Sequence, residues 1–229
     1  MSDPASIEAG LASVRARIAR ACAEVGRDPA GVALVAVSKL KPPQAIRQAL
    51  AAGQFHFGEN YAQHLRDKAA ELGAGPAPLP TWHFIGPLQT NKVKYVVGTA
   101  SLIHAVDSER LGLAIAARAG ARPAGVLVQV NTEREATKHG VAPEEALALC
   151  GTLHGMPGLA LRGLMCIPPP AGPDESRRAF TALAALAAEG RARGLPLELL
   201  SMGMSHDFEI AIACGSTHVR VGTAIFGER

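Results

Sequence analysis

The run Val32-Ala33-Leu34-Val35-Ala36-Val37-Ser38 ends on Lys39, and a lysine delivered in that way can do covalent chemistry. Six of the seven residues are apolar and three of those are valine, the pattern of a strand covered on both faces in a parallel sheet. Lys39 then falls at the strand's C-terminal end, where alternating α/β folds bind ligands. Apolar surroundings disfavour the ammonium form, and a neutral amine attacks carbonyl carbon. A second group of residues suits an anion. Ser201-Met202-Gly203-Met204-Ser205 and Arg220-Val221-Gly222-Thr223 each follow or close a short apolar run. Glycines there let backbone N–H groups approach a phosphate, and the Ser201 and Thr223 hydroxyls add donors.

An amine facing a phosphate cradle fits a phosphorylated carbonyl compound held as an imine. Two ligand classes meet that description: the sugar phosphates of a Schiff-base aldolase, and pyridoxal 5′-phosphate (PLP). Arg220 discriminates weakly between them. A permanently charged guanidinium beside a pyridine nitrogen would keep that nitrogen unprotonated and make the ring a poor electron sink.

These residues need a frame that brings strand ends together, and the spacing supplies one. A leading helix is predicted over residues 4–26, with Ile7, Leu11, Val14, Ile18 and Cys22 at three- and four-residue intervals and Gly26 as terminator. After the strand that ends at Lys39, a helix over Ala45 to Ala52 is stopped by Gly53, and a β-rich piece over Phe55 to Tyr61 precedes a helix to about Leu72. Gly73 to Pro80, with three prolines and two glycines, reads as a loop. Further strands are expected at Trp82 to Gly86, Leu102 to Val106, Val126 to Val130, Leu161 to Cys166, Leu197 to Ser201 and Val219 to Val221. Helices are expected at Asn91 to Val97, Glu109 to Ala119, Pro143 to Leu153, Asp174 to Glu189 and Phe208 to Cys214. Sequential βα units with short connections imply right-handed crossovers, and eight of them close into a (β/α)8 TIM-type barrel with an extra N-terminal helix. A doubly wound open sheet lacks its fingerprint, since no G-x-G-x-x-G follows the first strand. The expectation is one barrel domain over residues 1–229.

Composition narrows the function classes. The 229 residues are 48% hydrophobic, enough for a sizeable core. Net charge is +3, but the 23 lysines and arginines are scattered, which argues against a nucleic-acid surface. The four cysteines form no C-x-x-C pair, so reduced thiols in a cytoplasm are expected. No signal-peptide region and no apolar run of transmembrane length is present, so no membrane partner is expected. His56, His83 and His104 lack ligand spacing and read as core histidines rather than a metal site. Asp107 reads as an orienting group or as the N-cap of the next helix.

Several motifs in order carry a resemblance. Ala36-Val37-Ser38-Lys39, Phe57-Gly58-Glu59-Asn60-Tyr61, the stretch from Trp82 to Lys92, Arg162-Gly163-Leu164-Met165, Leu200 to Ser205 and Gly215 to Gly227 are similar to the pyridoxal phosphate homeostasis protein family. The resemblance implies a barrel like the N-terminal domain of bacterial alanine racemase, with PLP held covalently as an imine on Lys39. It implies that Arg220 faces the pyridine nitrogen, that Ser201, Gly222 and Thr223 contact phosphate, and that Asn60 and Met202 lie at the cofactor. It also implies PLP storage or delivery without classical PLP-enzyme turnover, with apo PLP-dependent enzymes as recipients and a monomer as the working form. His206 departs from the family pattern, which has a small or acidic residue there. The alternative is an amino-acid racemase-like enzyme, which needs a base on each face of its adduct. The chain ends at Arg229 just after the last strand, so a second domain to supply the opposing tyrosine is not expected, and Tyr61 is the tyrosine near the mouth. After the fifth strand, Lys138 is a candidate transient acceptor for PLP on its way out.

Overall fold

Every run of apolar residues that the sequence marks as a strand forms one, and the eight strands close on themselves. In the computed structural model, which describes residues 4–75, 78–133, 139–168 and 172–227, these are β1 (Ala33–Val37), β2 (His56–Glu59), β3 (Thr81–Phe84), β4 (Leu102–Val106), β5 (Ala124–Gln129), β6 (Leu159–Met165), β7 (Leu199–Ser201) and β8 (His218–Val221). All pair in parallel, in chain order, and β8 returns to β1 with Val35 opposite Arg220. The helices are α1 (Pro4–Glu24), α2 (Pro43–Ala51), α3 (Ala62–Gly73), α4 (Glu109–Ala116), α5 (Pro143–His154), α6 (Pro173–Ala192), α7 (Phe208–Ala213) and α8 (Thr223–Phe226). This is the (β/α)8 barrel with a leading helix that the spacing predicts.

The main core lies between the barrel and its helices. Ile7, Leu11, Val14, Ile18 and Cys22 of α1 are all buried in it, as their spacing requires. α1 packs on α7 and α8, and the approach to α8 is close enough to need Gly10, where a Cβ would stand 2.8 Å from the Ala224 carbonyl oxygen. The short helix that begins at Thr223 is thereby braced from behind.

Between β3 and β4 the expected α-helix is a 3-10 helix, Thr90–Tyr95, made by i→i+3 bonds such as Lys92 N–H to the Gln89 carbonyl. Its threonine and Val93, with Val96 and Val97 just after it, are poor α-formers, and Gly98, at φ 83°, turns the chain away before a longer helix can develop. α4 begins on Ser108 rather than Asp107, with the Ser108 hydroxyl accepting from Leu111 N–H. All four cysteines are free thiols, and burial pushes Cys150 up to about 12. No helix among the described residues is long and apolar enough to cross a membrane.

Candidate functional site

At the C-terminal mouth, between the ends of β1 and β8, lies a cleft of about 270 Å³. Lys39, Arg220, Gly222 and Thr223 line it, together with Lys41, Ser205 and His206, and among the described residues none of its wall is acidic. A cleft with three cationic side chains in its wall suits an anion. A second hollow of about 350 Å³, with Gln89, Asn91, Asp107 and Arg110 in its wall, offers neither an amine nor a glycine cradle.

Lys39 reaches the cleft through a tight turn. Lys41 N–H bonds the Ser38 carbonyl at 3.0 Å, and Leu40, third in the turn, adopts φ 61°. That left-handed conformation is strained for a branched side chain, and Leu40 gains little packing in return because it is exposed. Lys41 then donates through Nζ to the carbonyls of Phe226 at 2.9 Å and Gly227 at 3.2 Å, tying the β1 loop to the end of α8.

Beneath the turn sits a buried ion pair. Glu59 Oε1 accepts from Lys68 Nζ at 2.6 Å and from Ser38 Oγ at 2.7 Å, and Lys68 Nζ also donates to the Ser38 carbonyl at 2.8 Å. The residue before Lys39 and the residue before Asn60 are thus clamped together from α3. Asn60 follows β2 beside the cleft rather than in its wall. Its Oδ1 is buried without a hydrogen-bond partner, which leaves an acceptor for a ligand donor. Gly86 lets β3 pass close to it, since a Cβ there would stand 2.3 Å from the Asn60 carbonyl oxygen.

Arg220 on β8 is 4% exposed and is held from inside the barrel. Nη1 donates to Ser201 Oγ at 2.7 Å and Nη2 to the Cys166 carbonyl at 2.9 Å. Ser201 Oγ lies 2.8 Å from His104 Nδ1, His104 Nε2 lies 2.9 Å from His83 Nδ1, and His83 Nε2 lies 2.9 Å from His56 Nδ1. Burial is the first cause that keeps these imidazoles neutral. It pushes His83 down to about 3 and His218 down to about 4, and holds His104 well below its ordinary value, with the neighbouring histidines adding to each shift. Burial also works against the charge of Arg220.

The resemblance implies that Ser201 contacts phosphate and that Met202 lies at the cofactor; in the structure neither lines the cleft. Ser201 is fully buried with its hydroxyl between Arg220 and His104, and Met202 is buried in the main core. The reason is Gly203, at φ 94°, which turns the chain so tightly against α7 that a Cβ would meet Ala211 at 2.6 Å. Met204 and Ser205 are therefore the residues that reach the mouth. Thr223 Oγ1 donates to Ser205 Oγ at 3.1 Å, and both of these hydroxyl side chains stand in the cleft wall. Ser205 is what the sequence reading missed, and the signal was the positive-φ glycine between the two serines. His206 is exposed on the cleft wall, and Lys138 lies outside the described residues.

The chain is similar to known proteins along nearly its whole length. The family model for the alanine racemase N-terminal domain matches residues 10–229. A pyridoxal phosphate homeostasis protein of Pseudomonas aeruginosa is 45% identical over 228 residues, covering 98% of this chain and 96% of its own length. One from Escherichia coli is 41% identical over 222 residues, covering 96% of this chain and 95% of its own. Among solved structures, PipY of Synechococcus elongatus with PLP bound is 38% identical with a TM-score of 0.83, over 96% of this chain and all 100% of that one. Alanine racemase of Corynebacterium glutamicum has a TM-score of 0.72 at 16% identity and aligns over 62% of its own chain, a likeness of fold alone.

Proposed function

The chain belongs to the pyridoxal phosphate homeostasis protein family, and from that premise we propose that it binds, stores and delivers PLP, with Lys39 holding the cofactor's aldehyde as an imine. The observation that carries this reading is the convergence of Lys39, Arg220, Gly222 and Thr223 on one cleft, with no acid among the described residues of its wall. The residues present fit the group. Ser205, Thr223 and the N–H groups that open α8 would hold the phosphate, the unpartnered Asn60 oxygen and its amide would lie toward the ring substituents, and Arg220 would face the ring nitrogen. PLP supplies an aldehyde and an electron-accepting ring; the protein supplies the amine, the anion cradle and a charge that keeps the ring nitrogen unprotonated.

Binding without turnover is the better reading of this site. Proton removal and return at a substrate carbon need a base on each face of the adduct, the opposing one a tyrosine in the racemase alternative. Tyr61 is half exposed on the rim, stacks edge-on against His64 at 5.1 Å, and does not line the cleft. The protein then acts as one barrel, a monomer of the cytoplasm that hands PLP to apo enzymes, and Lys138 remains the proposed intermediate amine for that transfer.

The test is borohydride reduction of the purified protein incubated with PLP, followed by peptide mass spectrometry. A pyridoxyl group on the Lys39 peptide, with loss of the reducible chromophore in Lys39→Ala, is the expected result. Label on another lysine with Lys39 unmodified overturns it. Rapid α-proton exchange of amino acids in deuterated water, abolished in Lys39→Ala, would replace the carrier reading with the racemase one.

A further inference from the structure

Parallel barrels usually fill their lumen with branched aliphatic side chains. Here an unbroken file of hydrogen-bonding groups crosses it instead, from Arg220 near the mouth through Ser201, His104 and His83 to His56, the first residue of β2. His218 packs beside the file, its ring centroid 5.9 Å from that of His83 and 6.1 Å from that of His104. Nothing in the proposed function uses these imidazoles.

The file has a direction, and elementary hydrogen-bond accounting fixes it. A guanidinium only donates, so Ser201 Oγ accepts from Arg220 Nη1. The fully buried Ser201 hydroxyl must then place its own hydrogen, and His104 Nδ1 is the acceptor at hand. A neutral imidazole that accepts at Nδ1 carries its hydrogen on Nε2. His104 therefore donates from Nε2 to His83 Nδ1, and His83 donates from Nε2 to His56 Nδ1. The reverse direction would leave the Ser201 hydrogen without an acceptor in the lumen.

We propose that the file His56, His83, His104 and Ser201 is a positioning relay, which commits a lone pair of Ser201 to Nη1 of Arg220 and so holds the guanidinium's other donors for an unprotonated ring nitrogen in the cleft. For the ligand's identity this rests on the proposed function; the direction of the file is a property of the protein alone. The consequence is specificity. The site prefers an aldehyde whose ring nitrogen carries a free lone pair, and that preference is set by residues that never touch the ligand. The neutrality of the buried histidines agrees with this, because a charged imidazole donates from both nitrogens and would break the file.

Two measurements decide it. In the full-length protein without ligand, nitrogen-15 NMR at pH 7 is expected to show His83 and His104 as Nε2–H tautomers; an Nδ1–H tautomer at His104 overturns the direction and with it the proposal. The second compares equilibrium loading of Lys39 by PLP and by its N1-methylated analogue, which has no lone pair at that nitrogen. The wild type is expected to prefer PLP by roughly tenfold or more, the worth of a charge-assisted hydrogen bond. His104→Leu and Ser201→Ala should each reduce that preference at least about threefold, and the double variant no further than either alone, since both cut the same file. His104→Asn, whose side-chain oxygen replaces Nδ1 as acceptor, should restore it. A purely structural role would weaken both aldehydes equally and leave the preference where it was. If His104→Leu fails to fold, Ser201→Ala decides alone: an unchanged preference, with both aldehydes still loading Lys39, overturns the relay. Absence of any loading in the wild type overturns the proposed function and the selectivity together, a result distinct from unchanged selectivity with normal loading.

Discussion

Lys39 and Arg220 face one cleft, yet the buried polar groups behind them are of different kinds. Behind Lys39 stands an ion pair, Glu59 with Lys68, whose charges cancel and whose hydrogen bonds grip the Ser38 backbone and hydroxyl. Behind Arg220 stand a carbonyl, a hydroxyl and a file of neutral imidazoles; among the described residues no carboxylate hydrogen-bonds to it, and Asp207 acts on it only through space. The contrast follows from what each end must present. A carboxylate behind Arg220 would spend its charge within the protein, whereas neutral acceptors satisfy the guanidinium geometrically and leave the charge to act on the cleft. Behind Lys39 the ion pair fixes the backbone while adding no net charge beside the amine.

Acid should separate the two systems most strongly. The folded values of His83, His104 and His218 are depressed below the unfolded one near 6.5, so below that pH the unfolded chain binds more protons than the folded chain. Stability is therefore complete above about pH 6.5 and is lost as pH falls toward the folded values, at about 1.4 kcal/mol per pH unit for each histidine. Three of them lose about 4 kcal/mol per unit around pH 5. Urea denaturation across pH 4 to 8 should show that slope and place acid unfolding between about pH 4 and 5 for a protein of ordinary stability. His218→Met should lower the slope by one histidine's share. A flat profile from pH 7 to 5 would mean that the imidazoles are not held neutral in the lumen.

The ion pair should respond to removal of one partner instead. Lys68→Met leaves the fully buried Glu59 uncompensated and is expected to cost about 3–5 kcal/mol in chemical denaturation. Adding Glu59→Gln should recover more than half of that loss, because the remaining Ser38 contact needs no charge. If the double variant is as unstable as the single, the pair is not acting as a pair.

A smaller effect is expected where β2 and β3 converge. Gly86→Ala drives a methyl against the Asn60 backbone, a contact of 2.3 Å that the chain must relieve by moving Asn60. Overpacking of that kind costs about 1–3 kcal/mol, and weaker PLP loading with the Lys39 label still in place should accompany it.

The barrel was legible because its signal is repeated: each strand is a short apolar run, each helix a spaced one, and the order leaves one closed solution. Lys39, Gly222 and Thr223 were legible as cleft residues for the same reason, since a residue just past a strand faces the mouth wherever the barrel closes, and Arg220 is the next-to-last residue of β8. The lumen file was not. His56, His83 and His104 stand 27 and 21 residues apart, and their bonding depends on the stagger of neighbouring strands and a crossing to β7, which no local pattern encodes. The 3-10 helix after β3 was missed because apolar spacing over a single turn does not distinguish three residues per turn from 3.6.

The two serines of Ser201-Met202-Gly203-Met204-Ser205 condense this lesson into one experiment. Ser201 ends β7 and Ser205 follows it, and both carry a hydroxyl, but across the left-handed turn at Gly203 the first lies in the lumen and the second on the cleft wall beside Thr223. Loading measured with PLP and with unphosphorylated pyridoxal isolates the phosphate, because the two aldehydes share the ring nitrogen that Arg220 would face and the Arg220 contribution cancels in their ratio. Ser205→Ala should reduce the preference for PLP by about fivefold, the worth of roughly 1 kcal/mol for one hydroxyl contact. Ser201→Ala should lower loading by both aldehydes while leaving their ratio within about twofold of the wild type. The opposite assignment, with the ratio falling in Ser201→Ala and steady in Ser205→Ala, would return Ser201 to the phosphate and require the Gly203 turn to open when PLP binds.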